Sequence, residues 1–194
     1  INTSGFGLVD KDVNISVNRA KVGDKVIISG SIGDHGIAVL SKREGLYFDS
    51  PIESDCAPLS DLVKEMLSVT KCIHCLRDPT RGGLATTLNE IAQQSGVGIM
   101  IEETKIPIKE AVKAACEFLG YDPLYVANEG KLVAVVPEEY SLEIVSKMRD
   151  NKYAVDAQII GEVVSEPKRV ILKTSIGGVR IVDMLSGELL PRIC

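Results

Sequence analysis

The sequence predicts an α/β or α+β domain, and three observations support that fold class. The hydrophobic pattern changes several times between a period of two residues, typical of strands, and a period of about 3.6, typical of helices. Turn residues separate these segments, and no internal repeat is visible that would indicate a solenoid. The 194 residues are 45% hydrophobic and 25% charged, the composition of a globular chain that can bury a core.

The first half of the chain predicts one strand and three helices. Residues 25–29 form a short apolar run that predicts a buried strand, and a glycine-rich turn then leads into a helix at 35–42. Apolar side chains recur three and four positions apart over residues 59–67, which places them on one face of a helix. The DPTRGG loop at 78–83 leads into residues 84–92, where apolar side chains at helical spacing predict a third helix.

The second half of the chain continues the alternation. Residues 99–102 predict a strand. Pro107 then begins a helix that Gly120 ends, because proline favours the first helical turn and glycine the position after the last. The remaining elements are strands at 132–136, 159–164 and 170–173, and a helix at 138–149.

The two ends of the chain differ from this body. Residues 1–20 carry an alternating apolar pattern over 13–17, which predicts a strand, and we expect this segment to be a remnant strand and linker. Residues 21–174 are expected to form the α/β domain. Residues 175–194 contain glycines and little helical patterning, so we expect a mobile tail with a short hairpin near Gly187.

Charge and composition argue against several classes of protein. The net charge is -5 and no run of Lys or Arg occurs, so neither nucleic acid nor anionic membrane is an expected partner. The apolar stretches are far shorter than the roughly 20 residues that a membrane-spanning helix needs. Five cysteines favour a reducing, cytoplasmic setting over a disulfide framework. The sequence begins without Met or a signal segment, so we expect a piece of a longer protein.

Cys194 is the most unusual candidate residue. A thiol on the last residue of the sequence has little steric cover and can act as a nucleophile. Its adjacent carboxylate disfavours the thiolate, so Arg192 or a partner's site would have to stabilise it. Pro191 stiffens the approach, and the pattern suits a swinging carrier of an acyl-type group. An incidental end residue is the alternative.

Two glycine-rich loops are candidates for binding an anion. In DPTRGG, Thr80 can cap a helix, while Gly82 and Gly83 let backbone N–H groups approach an anion and Arg81 adds charge. The SGSIGDHG loop at residues 29–36 likewise leads from a strand into a helix. Taken alone, each loop is equally consistent with a plain turn and helix cap.

The ANEGK segment and a cysteine pair complete the candidates. Glu129 precedes a predicted strand and lies at the rim of the sheet, where a glutamate can act as a general base in a water-poor site. A solvated loop carboxylate is the alternative. Cys72 and Cys75 have metal or redox spacing, but zinc would need two further ligands, so we predict no metal site.

Four segments resemble a known family. They are SGSIGDHGIA, DPTRGGLATTLNEIA, ANEGK and the terminal PRIC. They resemble the HypE family of hydrogenase maturation proteins, within the superfamily of aminoimidazole ribonucleotide synthetase, selenophosphate synthetase and thiamine monophosphate kinase. The resemblance covers essentially the whole chain, and DPTRGG with PRIC is its most specific part. It implies the C-terminal domain of the aminoimidazole ribonucleotide synthetase-like fold, a mixed sheet flanked by helices.

The resemblance implies an ATP-dependent carbamoyl dehydratase. In this family the partner HypF places a carbamoyl group on the terminal thiol, here Cys194, and the S-carboxamide is then dehydrated to an S-cyanate. That product supplies the cyanide ligands of nickel–iron hydrogenases through the HypC–HypD iron scaffold complex. ATP activates the amide oxygen, Mg²⁺ accompanies ATP, and Glu129 matches the family position for the base that removes the amide protons. The full-length protein would be a homodimer.

The resemblance also assigns residues to a nucleotide or tail cleft. They are Asp34, His35, Gly36, Asp78, Thr80, Arg81, Gly82, Gly83 and Asn128. Pro191, Arg192 and Ile193 would serve in recognition of the tail. The family has an upstream ATP-binding domain that holds acidic Mg²⁺ ligands and forms the dimer, so we expect this chain alone to be inactive.

Two alternatives remain open. The chain could belong to another ATP-dependent small-molecule kinase or synthetase of the same superfamily, with an incidental terminal cysteine. It could instead be a non-catalytic carrier or docking module. Chemistry on Cys194 separates these possibilities.

Overall fold

The computed structural model describes residues 4, 6–48, 51–185 and 187. Within them, seven strands form one sheet accompanied by five α-helices and two short 3₁₀ turns. The strands are β1 (Lys25–Ile28), β2 (Cys75–Arg77), β3 (Gly98–Glu102), β4 (Val133–Val136), β5 (Gln158–Val164), β6 (Val170–Lys173) and β7 (Val179–Ile181). The helices are α1 (Asp34–Glu44), α2 (Ser60–Val69), α3 (Gly83–Ser95), α4 (Glu110–Leu119) and α5 (Glu138–Arg149).

The sheet is mixed and has the strand order β2-β4-β1-β5-β3-β6-β7. Neighbouring strands pair antiparallel except for β3 and β6, which pair parallel. The α/β fold class, a mixed sheet flanked by helices, is therefore confirmed. In the described part of the chain, no helix combines the length and the apolar character needed to cross a membrane.

Both faces of the sheet are covered, which explains why β4 is apolar and buried at every position. Val26 and Ile28 of β1 pack in a cluster with Leu84 and Leu88 of α3 on one face. Ile27 points to the opposite face because side chains alternate along a strand. There it packs with residues of α2 and α5, including Leu62, Met66, Ile144 and Met148.

Most elements lie close to their predicted positions. The helix expected to begin at Pro107 instead begins at Glu110, and the Pro107 carbonyl accepts a hydrogen bond from the Ile32 N–H at 3.0 Å. The short strand β2 was not predicted. It has only three residues, too few to show a period of two.

The strand predicted at residues 13–17 is wrong. This segment is irregular, and it is tied to the body by bonds such as Ser16 N–H to the His74 carbonyl at 3.0 Å. Ile15 packs against one core cluster and Val17 against the other. The alternation therefore reflects contact with two parts of the core rather than pairing in a sheet.

The segment expected to be a mobile tail begins with ordered structure. β7 lies inside residues 175–194 and pairs antiparallel with β6, so Val179–Ile181 belong to the sheet. Val182, directly after it, is fully buried. Of the hairpin expected near Gly187, residues 186 and 188–190 lie outside the described residues, as do Pro191, Arg192, Ile193 and Cys194.

Candidate functional site

The three motif loops meet at Asn128, whose side chain is fully buried. Its Oδ1 accepts a hydrogen bond from the Gly33 N–H at 2.7 Å, in the SGSIGDHG loop. Its Nδ2 donates to the carbonyl of Pro79 in the DPTRGG loop at 3.1 Å and to that of Val126 at 3.0 Å. One amide thus joins segments that are far apart in sequence, and each buried polar atom of the amide has a partner.

The same loops also contact each other through their backbones. The Gly36 N–H donates to the Ala127 carbonyl at 3.0 Å. Gly83 has a φ of +60°, and a Cβ there would lie 2.5 Å from the Leu124 carbonyl oxygen. Glycine is required at this position because the conformation is left-handed and the neighbouring chain leaves no space for a side chain.

A cavity of about 490 Å³ opens beside these loops, and we call it the site cavity. It is lined by Arg77, Asp78, Thr80, Arg81, Thr86, Thr87, Glu90 and Glu129. The structure therefore brings Glu129 together with three of the residues predicted in the DPTRGG loop. Gly82 and Gly83 lie at the start of α3 next to this lining.

The start of α3 differs in one respect from its predicted form. Thr80 was expected to cap the helix through its side chain, but the N-cap is Gly82 and no side chain caps it. Thr80 instead accepts the Gly83 N–H through its backbone carbonyl at 3.1 Å. No side-chain cap therefore competes for the backbone N–H groups in the first turn of α3.

Charges in the site cavity are partly compensated. Arg77 donates through Nε and Nη2 to Glu90 at 3.2 and 3.1 Å, and it also pairs with Asp78. Burial alone would lower the pKa of Arg77, but the bond to Glu90 and the two negative charges outweigh it and raise that pKa. Arg81 is exposed and has no ion-pair partner among the described residues, so its charge is available to an anion.

Thr86 supplies a further polar atom to the site cavity. Its Oγ1 is buried and has no hydrogen-bond partner within the described part of the chain. Its neighbour Thr87 donates to the Asp78 carbonyl at 3.3 Å. A buried hydroxyl without a partner is uncommon, and this one lies against Gly82 at the start of α3.

Asp34 and His35 do not line the site cavity. Asp34 is buried, accepts a hydrogen bond from Ser31, and pairs with Lys109 at 2.8 Å. The Nδ1 atom of His35 lies 2.8 Å from Ser54 Oγ, and its Nε2 is buried without a partner among the described residues. Their assignment to a nucleotide or tail cleft stays a prediction, as does that of Gly36.

The last described residues of the chain are bonded to α3 and to the 3₁₀ turn Pro123–Tyr125. Asn89 of α3 donates to the Val182 carbonyl at 2.8 Å. The Tyr125 hydroxyl donates to the Asp183 carbonyl at 3.0 Å. Asn89 precedes Glu90, which lines the site cavity, so this segment and the site cavity both contact α3.

The cysteines near the site differ in environment. Cys75 is fully buried in β2, and that burial raises the pKa of its thiol to about 11. Cys72 is exposed and, like Cys75, is a free thiol. Over the ranges that the structure describes, no group of three or more His, Cys, Asp or Glu side chains could hold a metal ion.

Sequence reasoning missed several residues of the site. Thr86 and Glu90 lie four positions apart on α3 and so share a helix face, but several other polar residues of α3 hid this pair in the sequence. Arg77 gave no signal because its role depends on Glu90, which is 13 residues away in sequence. Asn128 was named only through the family resemblance.

The model of the family described as AIR synthase related protein, C-terminal domain, matches residues 21–173. The chain belongs to this AIR synthase-related family. A carbamoyl dehydratase HypE from Azotobacter vinelandii is 53% identical over 195 residues, covering 100% of the chain and 57% of that relative. The chain thus spans little more than half the length of this relative.

Solved structures agree with this membership. A HypE–HypF complex has a TM-score of 0.86 at 52% identity, covering 89% of the chain and 56% of the other. A HypE structure in complex with ATP has a TM-score of 0.88 at 46% identity, covering 93% of the chain and 55% of the other. The AIR synthase-related chain therefore resembles HypE proteins in both sequence and fold.

Proposed function

We propose that the chain is part of an ATP-dependent carbamoyl dehydratase of the HypE type, which converts a carbamoyl group on Cys194 into an S-cyanate. The observation that carries this proposal is the site cavity, where Glu129 and the DPTRGG loop line one space. Relatives of the chain are carbamoyl dehydratases of the HypE type, which supports the reaction class. The S-cyanate would supply cyanide ligands for the iron of nickel–iron hydrogenases.

The amino end of α3 and Arg81 suit a phosphate group. The first backbone N–H groups of a helix have no partner within the helix, and that end carries a partial positive charge. Arg81 adds a full charge at the same end of the site cavity. We therefore place the phosphoryl group of ATP, and the amide oxygen that receives it, at this end.

Glu129 is the proposed general base. An amide oxygen is a poor leaving group until it is phosphorylated, and the amide nitrogen must lose one proton as the phosphate ester forms. It loses its second proton when phosphate departs and the carbon–nitrogen triple bond forms. Glu129 is half-buried at the wall of the site cavity, where it can accept protons from the nitrogen.

The anchor at Val182 and Asp183 supports access of Cys194 to this base. The 11 residues that follow Asp183 can span up to about 36 Å when extended. The anchor lies on α3, whose neighbouring residues line the site cavity. We propose that the tail reaches the site cavity for dehydration and extends away from it for loading by a partner. Pro191, Arg192 and Ile193 would guide its seating.

Partners and cofactors of the longer protein belong to the same proposal. A HypF-type carbamoyltransferase would load Cys194, a HypC–HypD complex would receive the product, and the longer protein would be a homodimer. Mg²⁺ would accompany ATP, with most of its ligands supplied by an upstream domain. Four free cysteines among the described residues support a reducing, cytoplasmic setting.

Intact-mass spectrometry on the longer protein tests the proposal. With HypF, carbamoyl phosphate and ATP, Cys194 should gain about 43 Da on carbamoylation and then lose about 18 Da as water. The variant Cys194→Ala should gain neither mass, and Cys72→Ala, which removes an exposed thiol elsewhere, should behave as the wild type. An adduct that persists in Cys194→Ala, or none in the wild type, would contradict the proposal.

A further inference from the structure

A segment that no sequence motif singled out lies directly against Glu129. Residues 51–59 form no helix or strand, yet Asp55 contacts the ANEGK turn closely. Its Oδ1 accepts hydrogen bonds from the backbone N–H groups of Glu129 at 2.9 Å and Gly130 at 3.2 Å. One carboxylate oxygen therefore holds both amides of the turn that carries the proposed base.

The absence of a side chain at position 130 makes this contact possible. A Cβ on Gly130 would lie 2.7 Å from the Ala57 backbone nitrogen and closer still to the Asp55 carbonyl oxygen. Real Cβ atoms do not approach other atoms so closely, so the two backbones can meet only because residue 130 is glycine. The segment and the turn are thus packed against each other along several atoms.

The other side of the segment is held by α1. Ser54 Oγ lies 2.8 Å from Nδ1 of His35, a residue that is only 8% exposed. Ser54 Oγ also accepts the Cys56 N–H at 3.2 Å. Hydrogen bonds therefore connect the SGSIGDHG loop to the ANEGK turn by two routes. One passes from His35 to the segment that contains Ser54 and Asp55, and the other passes through Asn128.

We propose that Asp55 is a positioning residue for Glu129 in the dehydration step, an inference that rests on the proposed function. Glu129 is fixed on one side by the bonds of Asn128 to neighbouring loops and on the other by Asp55. The direction of a glutamate side chain follows from the orientation of its own backbone. Two amides held by one acceptor fix that orientation, and a proton transfer depends steeply on such alignment.

The hydrogen bonds of Asp55 can be separated from its charge. Its second oxygen, Oδ2, is buried and has no partner within the described residues. Asparagine at this position would keep an oxygen acceptor for both N–H groups but remove the negative charge. Alanine would remove both. Glu53, an exposed carboxylate two residues away, offers a matched control.

The test is single-turnover dehydration of carbamoylated Cys194 in the longer protein, followed by mass spectrometry. Asp55→Ala should load with carbamoyl as fast as the wild type but dehydrate about 10- to 100-fold more slowly, the loss expected from a misplaced base. Asp55→Asn should dehydrate at close to the wild-type rate, and so should Glu53→Ala. The KM for ATP should stay unchanged in all three variants.

The outcomes separate this inference from the function on which it rests. Slow dehydration by Glu129→Gln together with normal dehydration by Asp55→Ala overturns the role of Asp55 alone. An Asp55→Asn variant as slow as Asp55→Ala also overturns it, because the charge rather than the amide bonds would then matter. Normal dehydration by Glu129→Gln overturns both the inference and the role of the base.

A measurement on the unmodified chain guards against variants that fail to fold. In hydrogen exchange followed by NMR, the amides of Glu129 and Gly130 should exchange slowly in the 194-residue chain. They should remain protected in Asp55→Asn. Exchange of both amides in the wild-type chain as fast as that of exposed loop residues would overturn the contact itself.

Discussion

The loops around the site cavity and the segment that leads away from it are held in different ways. The loops share a fully buried amide, Asn128, and backbones that touch where Gly83 and Gly130 leave space. The segment after β6 has an exposed strand, β7, and beyond it hydrogen bonds join Val182 to Asn89 and Val170, and Asp183 to Tyr125. The site cavity is thus bordered by closely packed loops, whereas the segment that follows β6 is held by strand pairing and a few hydrogen bonds.

The largest effect should come from removing the amide that joins the loops. Asn128→Ala would leave the Gly33 N–H and the Pro79 and Val126 carbonyls without their bonds to this side chain. We expect the free energy of unfolding to fall by about 3 kcal/mol or more, measured by denaturation in urea. Asn14→Ala, at an exposed position, should change it by no more than about 0.5 kcal/mol. Equal effects of the two would contradict a rigid site.

A pair of glycine substitutions measures how closely the loops approach. Gly83 and Gly96 both have left-handed φ angles, +60° and +69°, but a Cβ at Gly96 meets nothing within 4 Å. Gly96→Ala should cost about 1 kcal/mol of unfolding free energy from its conformation alone. Gly83→Ala should cost roughly 2 kcal/mol more, because it also forces the Leu124 and Val126 carbonyls apart. The same denaturation experiment gives both values, and equal costs would mean that the close contact is absent.

The smallest effect on stability should come from the hydrogen bond that holds Asp183. Tyr125→Phe removes the bond to the Asp183 carbonyl and should lower the free energy of unfolding by about 1 kcal/mol at most. Amide exchange after residue 183 should nevertheless become faster, while the loops around Asn128 stay protected. Tyr47→Phe, at a residue that is 97% exposed, should change neither measurement. Faster exchange in the loops would show that the segment at Asp183 and the loops around Asn128 are not independent.

The sequence predicted the strongly patterned parts of this fold. The helix at 138–149 and the strand at 170–173 have the predicted bounds, because each buries an apolar face of sufficient length. β7 was missed because it has only three residues, all of them exposed, and so buries no apolar face. The alternation at 13–17 led to a wrong prediction of a strand. Ile15 and Val17 are apolar because they contact two different core clusters, and their spacing of two residues happens to match that of a strand.

The site was predictable only in part, for a different reason. The DPTRGG and ANEGK segments were identified as motifs, but that they share one cavity depends on how the sheet brings loops together. The Asp55 side chain accepts a hydrogen bond from the backbone N–H of Glu129, 74 positions away in sequence. Every residue except proline has such an N–H group, so the donor is not marked in the sequence. Such a contact leaves no periodic or compositional signal. Side-chain partners of backbone groups therefore have to be found in the structure.

The central claim is that Glu129 removes the amide protons while Cys194 carries the substrate. Its most direct test is intact-mass spectrometry of Glu129→Gln in the longer protein, loaded by HypF in the presence of ATP. The account predicts that the variant retains the gain of about 43 Da and dehydrates at least about 10²-fold more slowly, since a general base is typically worth that factor. Loss of water at the wild-type rate from the carbamoylated Cys194 of this variant would contradict the account.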